Sequence, residues 1–194
     1  IGGWFMIPKR SGTLPFGAST STNPIDFGQT MYADEIVLMR AAGQVEYIKV
    51  LSSAGGTSYN VTRDLDGTGS NNWIAGTPFV VLGVSGDGRI ELNASDTPRI
   101  SLIRQGATYN AQTELIRIGD LNTWGGPLGS VYSAETWGLA FGEYDTNKVS
   151  FMLEQTNGFR IFNGSDVVAQ WNPGGGISLG KIAAGNANVW IGSG

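Results

Sequence analysis

The 194-residue chain is long enough to bury a core and carries 14% charged residues, 30 glycines and a net charge of −4, so it reads as turn-rich and extended rather than helical. It holds no cysteine and no histidine, which excludes disulfides, thiol chemistry, the Ser-His-Asp triad and ordinary zinc sites. No basic cluster offers a footprint for nucleic acid, and no apolar run nears the ~18 residues needed to cross a bilayer, so neither nucleic-acid binding nor membrane insertion is expected.

Residues 1–30, "IGGWFMIPKRSGTLPFGASTSTNPIDFGQT", contain three of the seven prolines and no sustained period. They read as an extended N-terminal segment that needs a neighbour to pack against. The chain starts at Ile1 with no signal-peptide pattern, which suggests a fragment of something longer.

Residues 31–86 read as a β-hairpin module. "EIVLMR" and "VEYIKVL" flank the turn-former "AAGQ". A helix over "ADEIVLMRAAGQ" is the competitor, but Ile36, Val37, Leu38 and Met39 are contiguous rather than spaced at 3.6, which favours a strand. In "YNVTRDL", Tyr59, Val61, Arg63 and Leu65 alternate against polar residues, as in a half-buried strand. "PFVVLGV" follows, its proline suited to a strand start.

Between these strands lies "DLDGTGSNNWIAGT", the densest cluster of chemical residue types. Asp64, Asp66, Thr68, Ser70 and Asn72 alternate as oxygen ligands of a calcium loop would, with Gly69 at the sharp turn. The twelfth position, however, is Ala75 rather than a bidentate glutamate, and the flanks are strand-like. The turn reading is therefore the stronger: aspartate and asparagine satisfy their own backbone, and glycine supplies positive φ. Asp64 and Asp66 remain only a weak calcium candidate, and no metal or other cofactor is expected.

Residues 87–194 read as a β-repeat region. "DGRIELNASD" (87–96) aligns without gaps with "NGFRIFNGSD" (157–166), seventy residues on. The runs "FVVL" and "VSFML" precede the two copies, so each reads as strand, glycine turn, strand, Asx-type turn. Further strand candidates are "RISLI", "ELIRI", "WGLAF", "ISLGKI" and "NVWIG", all bounded by glycine or asparagine. So many short strands leave unpaired sheet edges. With few charges to protect them, self-assembly is an attractive remedy.

The stretches "VTRDLDGTGSNNWIAGTPFVVLG", "GDGRIELNASDTPRISLIRQGATYNAQTELIRIGDLN", "WGLAFGEYDTNKVSFMLEQTNGFRIFNG" and "VVAQWNPGGGISLGKI" carry a resemblance. They resemble the β-rich repeat regions of minor structural proteins of the tail tip and tail fibre of tailed bacteriophages, over about residues 31–185. The "R-x-x-DGT…W-x-AGTP" hairpin and the "TNG-x-RI…W…G-x-I-x-LG" run are the most characteristic parts. The resemblance implies a spacer or knob module in an elongated, intertwined homotrimeric fibre, located in the extracellular virion tail. It implies other phage tail proteins, and host-surface polysaccharide or protein, as partners. It brings no catalytic residues with it. The sequons "NVT", "NAS" and "NGS" are then chance matches.

Carboxylates for glycoside hydrolysis exist in Asp87, Glu91, Asp96, Glu143 and Asp145, although sixteen acids are also what a chain's surface requires. A serine-lysine site would have to use Lys9, Lys49, Lys148 or Lys181, all in polar or strand-edge contexts. Trp73, Trp124, Trp137, Trp171 and Trp190 sit beside turn signals, where an aromatic face could stack on a receptor or pack a small core. The receptor-binding candidates are Trp124 and Tyr132, in the loop "NTWGGPLGSVY", together with Trp73. The expectation is an all-β chain of short antiparallel hairpins that is not an enzyme. The alternatives are a carbohydrate-binding or polysaccharide-depolymerising tail domain, or a bacterial surface adhesin module.

Overall fold

A computed structural model describes residues 4–95, 97–122, 136–142, 149–164, 166–180 and 189–191. The described chain is all-β, with antiparallel strand pairing and no helix among the described residues. It divides into two compact units, one of residues 7–89 and 104–113, the other of residues 1–6, 90–103 and 114–194.

The first unit is built on a six-stranded sheet. Its strands are β2 (Arg10–Thr13), β3 (Ile25–Asp26), β4 (Ile36–Ala41), β5 (Gln44–Gly55), β6 (Ser58–Thr62) and β7 (Pro78–Gly83), in the order β2-β7-β4-β5-β6-β3. The contiguous apolar run of β4 has its explanation here. The strand lies between β5 and β7, and Ile36, Val37, Leu38 and Met39 are all buried, so neither face needs a polar residue. β5 begins by alternating, with Glu46, Ile48 and Val50 inward, and runs out into an exposed end where its pairing with β6 is twice interrupted by register shifts. β6 buries Tyr59 and Val61, the parity its sequence alternation indicates.

From Ile7 onward the extended N-terminal segment finds its neighbours within this unit. β2 pairs with β7, β3 with β6, and Ala18 bridges Trp73, while Leu14, Ala18, Ile25 and Phe27 enter the core. Phe27 lies edge-on to Phe79 at 5.3 Å between centroids, a favoured aromatic geometry.

Between β4 and β5 only Ala42 and Gly43 intervene, with φ of 51° and 81°. Positive φ at both central positions is the type I′ turn, whose twist matches a two-residue hairpin. Ala42 is the misfit, because a Cβ in this region costs about 1–2 kcal/mol. Ala42→Gly should therefore raise the melting temperature by a few degrees, about 2–4 °C per kcal/mol for a chain of this size. A lowered melting temperature would refute the turn assignment.

The second sheet has ten strands. They are β1 (Trp4–Ile7), β8 (Gly88–Asn93), β9 (Arg99–Gln105), β10 (Gln112–Asp120), β11 (Trp137–Phe141), β12 (Val149–Glu154), β13 (Gly158–Asn163), β14 (Asp166–Trp171), β15 (Ile177–Leu179) and β16 (Val189–Ile191). From β8 onward it is a meander in which each strand lies beside its successor in the chain.

The two repeat copies occupy equivalent strands seventy residues apart, β8 at Gly88–Asn93 and β13 at Gly158–Asn163. Ser95 N–H donates to Asn93 Oδ1 at 2.7 Å, which is the Asx turn of the first copy. The expected hairpin forms only in the second copy, where β12 pairs with β13. In the first, β7 belongs to the six-stranded sheet and β8 to the ten-stranded one. Inward parity differs as well: Arg160 and Phe162 are buried, whereas the aligned Ile90 and Leu92 are not.

The registers from β10 to β15 assemble two continuous cross-strand ladders. One runs Ile116, Phe141, Phe151, Ile161, Ala169, Leu179; the other runs Ile118, Leu139, Leu153, Phe159, Trp171, Ile177. Every position in both is apolar, and none is buried. The intervening ladder, on the opposite face, runs Arg117, Ala140, Met152, Arg160, Gln170, Ser178 and is buried at every position but Gln170. The buried face thus mixes Arg117 and Arg160 with the apolar cluster of Leu121, Ala140, Met152 and Phe162, while the two outward ladders are wholly apolar, where a half-solvated sheet usually turns polar residues outward.

Candidate functional site

The Asp64 loop is built by turn chemistry. Asp64 itself takes φ of 56°, its Oδ1 accepts the Gly69 N–H at 2.7 Å, and its carbonyl accepts the Gly67 N–H at 3.3 Å. The Asp64 carboxylate that a cation would need is bonded across the loop. Asp66 is half-buried nearby, one of its oxygens without a hydrogen-bond partner. Among the described residues no group of three acids gathers as a metal site would require. Gly67 has φ of 72°, and a Cβ there would meet nothing within 4 Å. Gly67→Val should therefore cost about 2 kcal/mol through backbone strain alone, seen as a melting temperature several degrees lower. Unchanged melting would refute the turn. EDTA should leave the melting temperature of the native chain where it is; a fall restored by calcium would make the loop a binding site after all.

Trp73 is anchored in the core of its unit. It is 4% exposed, and its Nε1–H donates to Glu46 Oε2 at 2.7 Å, so its ring is not offered to a receptor. The same carboxylate accepts Arg63 through Nε at 2.8 Å and Nη2 at 2.7 Å, and the Asn71 N–H at 3.1 Å. Arg63 in turn donates to the carbonyls of Ser19 and Asn71. Glu46 on β5 thereby ties the 64–72 loop, Trp73 and the N-terminal segment to one point. Burial pushes its carboxyl up, but Arg63, the Asn71 amide and the Trp73 indole outweigh this and hold it below the ordinary value. Sequence reading did not single out Glu46; an acidic residue at an inward position of an alternating strand was the available signal.

Of the acids proposed for hydrolysis, only Asp87 and Glu91 lie among the described residues. Asp87 Oδ2 accepts Lys9 Nζ and the Val84 N–H, each at 2.8 Å. Burial raises the Asp87 carboxyl, but these donors prevail and keep it below its usual range, opposite to what a general acid requires. Lys9 is raised by its hydrogen bond to Asp87, the wrong direction for a lysine base. Lys49 pairs with Asp34 at 2.7 Å. Glu91 lies on β8, while Asp96, Glu143, Asp145, Lys148 and Lys181 fall outside the described residues.

In the second unit the buried charges are likewise engaged, Asp120 by the Asn122 and Thr136 amides and others by opposite charges. Glu114 accepts Arg117 and Ser101, and Glu154 accepts Arg160 Nη2 at 2.9 Å together with the Thr156 and Asn157 amides. What remains open is apolar. A groove of about 710 Å³ is walled by Phe5, Leu92, Ile100, Ile118 and Trp137. Arg99 also borders it, but donates to Thr97 and lies 3.7 Å from Glu114, and Asn93 is turned to Ser95. Trp137 is 45% and Trp171 59% exposed, so both present ring surface, which Trp73 does not. Trp124 and Tyr132 lie outside the described residues, as does the Trp190 side chain. Comparison with protein-family models, with curated proteins and with solved structures finds no match to this chain.

Proposed function

We propose that the chain is a non-enzymatic structural module of a bacteriophage tail fibre or tail tip, a homotrimer that spaces or presents a host-receptor-binding surface. The phage identity rests on the sequence resemblance over about residues 31–185. The observation that carries the non-enzymatic part is where the ionisable groups go. Glu46 with Arg63, Glu154 with Arg160, Glu114 with Arg117 and Asp87 with Lys9 are held in mutual ion pairs. Groups held in mutual ion pairs stabilise a scaffold and are poorly placed to trade protons with a substrate.

Immunogold electron microscopy of virions from the source culture, with antibody raised against this chain, tests the reading. Label along or at the tip of the tail is expected. Label on the bacterial surface would replace it with the adhesin reading. The carbohydrate-binding alternative draws on the exposed Trp137 beside its groove. Its weakness is that, among the described residues, the polar side chains bordering the groove, Arg99 and Asn93, are engaged locally.

A further inference from the structure

The two outward ladders of β10–β15 present hydrocarbon at every position, with Leu153 and Trp171 at least half exposed. At β10 this surface continues through Ile118 into the groove walled by Phe5 and Trp137. Along this surface Phe5, Ile118, Trp137, Leu153, Trp171 and Leu179 are each at least 42% exposed, so its hydrocarbon is contiguous rather than scattered, and contiguous apolar patches mark interaction surfaces. A solvated sheet face of this extent is not a stable end state, and something must cover it.

We infer that the covering partner is a second copy of this chain, packed sheet to sheet against the ladder face. Composition selects this occupant. Interfaces between proteins that also live apart are only about as apolar as ordinary surface and use arginine and polar rims, while obligate homomeric interfaces resemble a domain core cut in half. Neither ladder contains an ionisable side chain, and the Trp171 indole N–H is the one side-chain hydrogen-bond donor in them, which leaves little with which to select a different protein or a sugar. Geometry agrees: identical sheet faces can close around a rotation axis, each copy's face meeting those of its neighbours, with about 10 Å between packed sheets. The outward hydrocarbon follows, because the core that this face belongs to is completed only between chains. The inference names the surface by which the proposed homotrimer would assemble, yet stands on the ladders alone and holds for any closed number of copies.

The test combines native mass with accessibility. Light scattering after size exclusion should give a multiple of 20.5 kDa. The double variant Leu153→Lys with Phe159→Lys should shift the mass toward 20.5 kDa, because lysine on this face is tolerated only when the face meets water. Should that variant simply unfold, a second measurement decides. The chain has no cysteine, so Leu153→Cys introduces a single thiol, with Ser52→Cys on the exposed end of β5 as reference. Maleimide should modify the Leu153→Cys thiol roughly a hundredfold more slowly than the reference, as for a site reached only through local opening. A native chain of 20.5 kDa, or equal reactivity of the two thiols in an assembly, overturns the inference. A protected thiol in an assembly that fails to label phage tails would retain it and sink the proposed function; a tail-labelling monomer would do the reverse.

Discussion

Glu46→Ala is expected to lower stability by about 3–5 kcal/mol, a large part of the roughly 5–15 kcal/mol that holds a typical domain together. The glutamate is fully buried and receives two bonds from Arg63, one from the Trp73 indole and one from the Asn71 amide. Removing it leaves a guanidinium and two further donors without their acceptor, and an unpaired buried charge is the costlier half of a broken pair. Glu46→Gln keeps the shape and one oxygen acceptor, so it should cost less at neutral pH. The two variants also separate in acid. The Glu46 carboxyl lies below its ordinary value of 4.5 in the folded chain, so the folded state binds its proton less readily than the unfolded state does. Its contribution is therefore complete above about pH 4.5 and fades as pH falls through the lower folded value. Urea unfolding at pH 7 and pH 3 should show the gap between native chain and Glu46→Gln narrowing in acid. A gap that stays constant would mean that the charge of Glu46 is not what the loop depends on.

How far the sequence speaks differs between the two units, for a physical reason. In the six-stranded sheet, local pattern and burial agree. The contiguous run of β4 lies between two neighbours, and Tyr59 and Val61 face inward as their alternation indicates. In the ten-stranded sheet the same kind of alternation is present in "ELIRI", "WGLAF" and "GFRIF", and it locates the strands: "WGLAF" coincides with β11. What it does not reveal is which parity is inside. Default reasoning would bury Ile116, Ile118, Phe159 and Ile161, whereas the fold buries Arg117 and Arg160, beside Met152 and Phe162, and turns those four outward. Periodicity reports that two faces differ in polarity, not which one meets water, and where a face is completed by another chain the answer does not lie within one chain. Strand β14 was not picked out as a strand because "DVVAQW" lacks clean alternation and is half-buried nearly throughout. Trp73 misled as a receptor candidate because turn residues surround it in sequence, while its acceptor, Glu46, is 27 positions away.

Gly158→Ala is expected to be more damaging than Gly67→Val, although it adds the smaller side chain. Both glycines have positive φ, 75° and 72°, so each substitution meets backbone strain of about 1–2 kcal/mol. They differ in what surrounds the new atoms. The Gly67 Cβ would stand in open space, whereas the Gly158 Cβ would fall on the Trp171 carbonyl oxygen and lie 3.1 Å from the Pro173 ring. That oxygen cannot give way cheaply, because Phe159 pairs with Trp171 in the β13 to β14 register and the chain on the other side of Gly158 is held by Glu154 accepting the Thr156 and Asn157 amides. Overpacking against fixed backbone adds about 1–3 kcal/mol, for a total near 2–5 kcal/mol. The displacement also reaches the outward ladder, since Trp171 is its most exposed member. Gly158→Ala should therefore lower both the denaturation midpoint and the native mass at a given concentration. Gly67→Val, in the other sheet's unit, should lower only the first. If Gly158→Ala melts with the native chain, the close approach of β14 to the turn before β13 is wrong. If it destabilises without loosening the assembly, Trp171 is not part of the surface that joins the copies.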